Sequence, residues 1–268
     1  MPELPEVETV VRTLESKIKD LTITDVEILY PKMILDKPSH FKKMCIGESF
    51  RQFSRRGKYI LFQMDTFTLV SHLRMEGKYY IQKPSEPRDK HMHVIFHLSD
   101  GSELRYRDTR KFGRMEIYPF EIDLDYFHDL GYEPFDERLN AQYFHSYIKN
   151  KKLPLKTLLL DQHFISGIGN IYADEILFAC GLRPQRSCKR ITKKDEENII
   201  KASRMILQKA IEKGGTTIRS YTSSLGVTGL FQLDCAVHEK KTCKKCNSEI
   251  KMKRIGGRSS YYCPKCQK

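Results

Sequence analysis

The residues best suited to chemistry stand at the start of the chain, Met1-Pro2-Glu3-Leu4-Pro5-Glu6-Val7-Glu8. Trimming of an initiator methionine before a small residue would leave Pro2 as the terminus, a secondary amine with the Glu3 carboxylate beside it. Such an amine can attack an electrophilic sugar or carbonyl carbon and form an iminium, while a carboxyl group shuttles the proton. An α-amino group titrates near ~8, so a useful neutral fraction needs local help. The same residues also read as a helix start, with Pro5 in the first turn and glutamates facing the positive end of the helix dipole. The two readings are compatible, and composition alone puts the structural one first.

Four of the eight cysteines form a second constellation, Cys243-x2-Cys246 and Cys263-x2-Cys266, sixteen residues apart. Each pair offers two thiolates one tight turn apart, and four thiolates close a tetrahedral zinc shell without an open position for water. One structural Zn2+ is therefore expected. The scattered Cys45, Cys180, Cys188 and Cys235 read as packed thiols of a reducing compartment. Between the paired cysteines, the basic run Lys251 to Ser260 with its Gly256-Gly257 tip reads as a hairpin able to bring Arg258 to a phosphate, or as a plain solvated hairpin. Gly167-Ile168-Gly169-Asn170 opens a helix, where converging N–H groups bind anions. It follows a helix and lacks a third glycine, so it is not a dinucleotide fingerprint; a phosphate site and a structural joint both fit, with Asn170 favouring phosphate. Arg55-Arg56-Gly57-Lys58 is a basic turn, and His72-Leu73-Arg74-Met75 ends a strand. Asp108-Thr109-Arg110-Lys111-Phe112-Gly113 is a charged loop whose one aromatic is a wedge for a base stack or an inward-folded side chain.

These residues need elements to hold them. Apolar positions Val7, Val10, Val11, Leu14 and Ile18 recur at helical spacing from Glu3 to about Asp20. Strand patterns follow at Val26–Tyr30, Phe50–Phe53, Tyr59–Met64, Thr68–Leu73, Lys78–Gln82, His93–Leu98 and Met115–Tyr118. One helix before many short strands predicts an α+β chain whose first domain, 1–130, is a helix-capped antiparallel β-sandwich. Gly131 to Arg138 breaks the pattern and is expected as a linker. Helical spacing then dominates at Ala141–Ile148, Leu155–Leu160, Ile171–Cys180 and Glu196–Glu212, giving a helical domain over 139–233 before a zinc finger over 234–268.

With 268 residues and 40% hydrophobic content, the chain is long enough for two domains with cores, and the content argues against disorder. A formal charge of +13 and a pI near 9.3 point to a polyanionic partner. An anionic membrane surface is the competing explanation, but no apolar run reaches transmembrane length and no signal or lipidation motif is seen. A soluble, cytoplasmic protein is expected.

Taken together and in order, the N-terminal Pro2-Glu3-Leu4-Pro5-Glu6 stretch, the Gly167–Glu175 turn and the terminal four-cysteine finger resemble bacterial formamidopyrimidine-DNA glycosylases along essentially the whole chain. The resemblance implies a β-sandwich, a helix–two-turns–helix domain and a zinc finger, with DNA between the domains. It also implies a monomeric base-excision repair enzyme that removes 8-oxoguanine and formamidopyrimidines from damaged duplex DNA and cleaves the abasic site by β,δ-elimination. On this resemblance Pro2 attacks C1′, Glu3 helps open the sugar ring with Glu6 in support, Lys58 moves protons, and Arg258 serves the second elimination. Asn170 grips phosphate beside the lesion. Met75, Arg110 and Phe112 fill the gap left by the everted base, with Arg110 facing the orphan cytosine. His72, His91, Lys151 and Lys156 complete the expected DNA contacts, and Thr216 to Gln232 forms a loop over the flipped base. The endonuclease VIII type typically has glycine at Leu4 and lacks the Met75/Arg110/Phe112 trio. A non-catalytic zinc-ribbon DNA-binding protein is the rival of another class. His238-Glu239, where the family usually has an aromatic and a glycine, leaves the local turn open.

Overall fold

The computed structural model describes residues 1–122, 127–216 and 229–268. They fall into two compact units, one of residues 1–127 with 214–229, the other of 128–213 with 230–268.

The first unit begins with α1 (Leu4–Ile18), whose start is fixed by a capping box between Glu3 and Glu6 and by Pro5 in its first turn. Val7, Val10, Val11, Leu14 and Ile18 are buried on the face that packs on the sheet edge formed by β2 and β3. Two four-stranded sheets follow. The first has the order β1 (Ile23–Ile28), β6 (Met92–Leu98), β7 (Glu103–Arg107), β5 (Lys78–Gln82). The second has the order β2 (Gln52–Arg56), β3 (Tyr59–Gln63), β4 (Phe67–His72), β8 (Arg114–Pro119). All pairs are antiparallel. Phe62 of one sheet meets Tyr79 of the other edge to face, with ring centroids 5.8 Å apart, so the two inner faces share one core.

Two elements depart from the expectation. α2 (Pro38–Cys45) covers β1 although only Phe41 and Cys45 are buried in it, too few to show a helical period. β7 was masked by its own charges: Glu103 and Arg105 are fully buried, joined at 2.6 Å. Arg105 also donates to Gln82 and to the carbonyls of Lys83, Glu86 and Pro87. A buried ion pair in which each guanidinium nitrogen has an acceptor stands where the alternation rule expects apolar side chains.

The second unit contains α3 (Ala141–Ile148), α4 (Leu155–Leu160), α5 (Asn170–Ala179), α6 (Lys193–Glu212) and the hairpin β9 (Lys251–Ile255)–β10 (Arg258–Tyr262). Asn140 caps α3, and a Thr192–Asp195 capping box starts α6. The core gathers Phe144, Leu158, Phe164, Tyr172, Ile176 and Leu207 around α5. The expected linker at 131–138 is part of this unit: Gly131 and Ser166 close backbone bonds with Gln162 and Tyr132. Arg204 of α6 donates to the carbonyls of Pro134, Asp136 and Leu139. A guanidinium that collects three carbonyls turns an irregular stretch into fixed structure. The finger is likewise stitched to the helices and not separate from them. Arg183 donates to the carbonyls of Gln267 and Pro264, and Gln267 donates to that of Leu182. Among the described residues no helix is long and apolar enough to cross a membrane.

Candidate active site and DNA-contact residues

In the first unit, α1 and the two sheets bring the N-terminal residues against charged partners. Pro2, Glu3 and Glu6 are buried. Glu6 Oε2 accepts from the Glu3 N–H at 2.9 Å, while its Oε1 accepts from the N–H and hydroxyl of Thr216 at 2.7 and 3.0 Å. The Glu6 carboxylate thus ties the helix start to residue 216. Burial holds the pKa of the Met1 terminal ammonium below its ordinary value, opposed by the Glu3, Glu6 and Glu76 carboxylates and assisted by Lys58. The terminus, both expected glutamates and Lys58 are therefore electrostatic neighbours. Glu76 is an addition that sequence reasoning passed over, because a single carboxylate after Met75 carries no spacing signal. Lys58 is buried in the two-residue turn joining β2 to β3, and the neighbouring Arg55 is ion-paired to Glu8 at 3.2 Å.

The trio expected to fill a DNA gap occupies two turns at one end of the sheets. Phe112 is 47% exposed, and the Arg110 guanidinium lies over its ring, 4.7 Å from the centroid. Lys111 instead turns back over Tyr30 at 4.8 Å. Met75 is half-buried. His91, also half-buried, accepts at its carbonyl from the Asp108 N–H. His72 is enclosed by its surroundings. It is buried, its Nδ1 accepts from the Arg74 N–H, and desolvation with the charges of Arg74 and Lys58 pushes its pKa down to about 3. A neutral, enclosed imidazole offers no charge to a phosphate.

In the second unit, Asn170 starts α5 and donates from Nδ2 to the Ser259 carbonyl of the finger hairpin at 3.1 Å. Arg258 is exposed where β10 leaves the Gly256-Gly257 turn, both of whose φ angles are positive, +55° and +75°. Lys151 lies over the Tyr147 ring at 4.0 Å. Lys156 is fully buried, and its ammonium binds the Asn170 carbonyl at 2.7 Å and Asp174 at 2.6 Å. The ammonium holds the start of α5. Asp174 also meets His238 Nδ1 at 2.8 Å, and Glu175 accepts three successive N–H bonds from Ala236, Val237 and His238. His238 therefore has a defined place in the turn before the finger. Residues 217–228 of the expected Thr216–Gln232 loop lie outside the described residues.

The four finger cysteines converge with all their sulfurs within 4.8 Å of one another, Cys243 to Cys266 at 3.8 Å and Cys246 to Cys263 at 3.4 Å. Tetrahedral coordination with Zn–S bonds of ~2.3 Å asks for sulfurs roughly 3.8 Å apart. The residues fit one structural zinc, which these four thiolates would hold at the base of the β9–β10 hairpin that carries Arg258.

Family models match the chain end to end. That for the formamidopyrimidine-DNA glycosylase N-terminal domain matches residues 1–115, that for the H2TH domain of the same glycosylases matches 130–222, and that for a zinc finger found in FPG and IleRS matches 240–268. The chain is 44% identical to formamidopyrimidine-DNA glycosylase of Bacillus licheniformis over 274 residues, covering all of both chains. It is 43% identical to that of Bacillus subtilis, covering 100% of this chain and 99% of the relative. Among solved structures, Lactococcus lactis Fpg in complex with DNA containing N7-benzyl-Fapy-dG superposes with a TM-score of 0.93 at 38% identity, covering 99% of each chain. The same enzyme in complex with DNA containing an abasic site gives 0.93 at 37%, again covering 99% of each. With three domain models in order and full-length relatives above 40% identity, the chain belongs to the formamidopyrimidine-DNA glycosylase family, whose members are DNA glycosylases with abasic-site lyase activity.

Proposed function

We propose that this chain, a base-excision repair glycosylase of oxidised purines by its family, acts on damaged duplex DNA through a Schiff base on Pro2. The observation that carries the reading is the enclosed start of the chain, where Pro2, Glu3 and Glu6 are buried and the adjoining Met1 ammonium has Glu3, Glu6, Glu76 and Lys58 as electrostatic neighbours. An amine shielded from water is more often neutral, and so more nucleophilic, near neutral pH. Once Met1 is removed, the Pro2 nitrogen attacks C1′ of the damaged nucleotide. Glu3 supplies the proton to the ring oxygen, the C1′–O4′ bond opens and the base departs, leaving an iminium. Loss of a C2′ proton then expels the 3′ phosphate, and a second elimination expels the 5′ phosphate. Lys58 serves the proton transfers and Arg258 the last step. Glu6, committed to Glu3 and Thr216, holds the amine in place. Met75, Arg110 and Phe112 fill the vacated stack, while His91, Lys151 and Asn170 hold the backbone. The lesion-bearing and abasic DNA bound by the Lactococcus enzyme supports this choice of partner.

Borohydride trapping on a duplex bearing 8-oxoguanine tests the reading. Wild type becomes covalently joined to DNA, whereas Pro2→Gly, or protein that keeps Met1, binds the duplex without joining it. Normal trapping by protein shown by mass spectrometry to retain Met1 would overturn the assignment.

A further inference from the structure

Resting on the reading of Met75, Arg110 and Phe112 as the gap-filling trio, we propose that Asp108 is the positioning residue that shapes the trio's longer turn before DNA arrives. Asp108 is fully buried. Its Oδ1 accepts from the Arg110 N–H at 2.9 Å, and its Oδ2 accepts from the N–H groups of Phe112 and Gly113 at 2.9 and 2.8 Å. One carboxylate thus satisfies three backbone donors of a five-residue turn, and bonds to an ionised acceptor are stronger than neutral ones. The Asp108 carbonyl accepts from His93 Nε2 at 2.8 Å and from the Lys111 N–H, while its own N–H donates to His91. These bonds account for the path of the turn. Lys111, at φ +59°, is thrown back over Tyr30, and the residues on either side of it, Arg110 and Phe112, are presented outward together.

Tyr106, fully buried two residues earlier, sets the second constraint. A Cβ on Gly113 would lie 1.7 Å from its Oη, and one on Gly77, two residues after Met75, would lie 2.1 Å from the same atom. Both turns of the trio therefore rest on one phenol, and they do so only because glycine allows the approach. The wedge is held on a rigid seat, so eversion of the base needs no ordering of the loop at that moment.

The test is single-turnover excision of 8-oxoguanine opposite cytosine and opposite adenine, with borohydride trapping on a pre-formed abasic site at saturating enzyme. Asp108→Asn keeps the size but points an amide donor at backbone donors. Excision opposite cytosine is expected to fall roughly 10- to 100-fold, with the cytosine preference lost, while abasic trapping stays within about threefold. Adding Phe112→Ala to Asp108→Asn should cost far less than the product of the two single losses, a coupling that general destabilisation would not give. Rates are normalised to the trappable fraction, and Gly113→Ala, which leaves the carboxylate intact but crowds the turn against Tyr106, is expected to show the same selective loss if Asp108→Asn folds poorly. If Phe112→Ala and Arg110→Ala both excise like wild type, the gap-filling reading itself fails. If those two are impaired while Asp108→Asn and Gly113→Ala match wild type, or if trapping falls in step with excision, the positioning role alone is overturned.

Discussion

Two single residues show how far chemistry follows from surroundings. Arg110 is exposed and stacked on Phe112. Cytosine presents O2 and N3 acceptors to such a group, whereas adenine pairs its N1 acceptor with an N6 donor. A mismatched hydrogen-bonding edge typically costs ~1–3 kcal/mol, about ten- to a hundredfold. Wild type is expected to excise 8-oxoguanine faster opposite cytosine, and Arg110→Ala to flatten that ratio; a full preference in the variant would make Arg110 a structural residue. His72 shows the opposite case. Its folded pKa of about 3 lies below the unfolded value of ~6.5. Between these values the unfolded chain binds a proton that the folded chain does not, so the stabilisation is complete above ~6.5 and is lost as pH falls, by at most ~1.4 kcal/mol per unit. His72→Asn, whose Oδ1 can still accept from Arg74, should lose less stability than wild type between pH 6.5 and 4. Parallel melting curves for the two proteins would show that His72 does not titrate in this way.

At the scale of elements, α5 organises the second unit. Its first turn is held by Lys156, and its Glu175 carboxylate receives the chain just before the finger. Charge-assisted bonds contribute about 1.5–3 kcal/mol each, though three on one carboxylate do not add fully. Glu175→Ala should leave 236–238 without their acceptor, lower the melting temperature by several degrees and speed zinc release to a chelator. An unchanged release rate would show that the finger holds its place without α5. Cys246→Ser removes one of four thiolates and should lose zinc, disorder the hairpin that carries Arg258 and weaken DNA binding, with the β-sandwich still folded. Stoichiometric zinc in that variant, by elemental analysis, would refute a four-cysteine shell.

For the whole molecule, the +13 charge acts as a field and the DNA contacts as a short set within it. The candidates proposed for the backbone are Lys58, His91, Lys151, Asn170 and Arg258, of which Lys58 is buried and Arg258 exposed. Three of these, Lys58, Lys151 and Arg258, are cations that release counterions, so log affinity should fall with log salt at a slope of roughly −2 to −3. A slope near zero, measured by titration of a lesion duplex, would separate the basic surface from DNA binding.

What the sequence determined by itself is whatever rests on local spacing. The Val7-to-Ile18 period placed α1, the paired cysteines marked the zinc shell, and the order of motifs identified the family. Strand alternation found most of the two sheets but passed over β7, since a buried Glu103–Arg105 pair is indistinguishable in sequence from two solvated charges. Tertiary structure alone decided which polar groups are enclosed and which are exposed. Lys156 and Lys151 are five residues apart and equally basic on paper. Folding encloses the first between Asn170 and Asp174 and leaves the second half-exposed on Tyr147. Asp108 likewise reads as one more loop acid until the backbone turns three N–H groups onto its carboxylate. The physical reason is common to all three: the state of a charged side chain is set by desolvation and by the partners that meet it, and these come from distant parts of the chain.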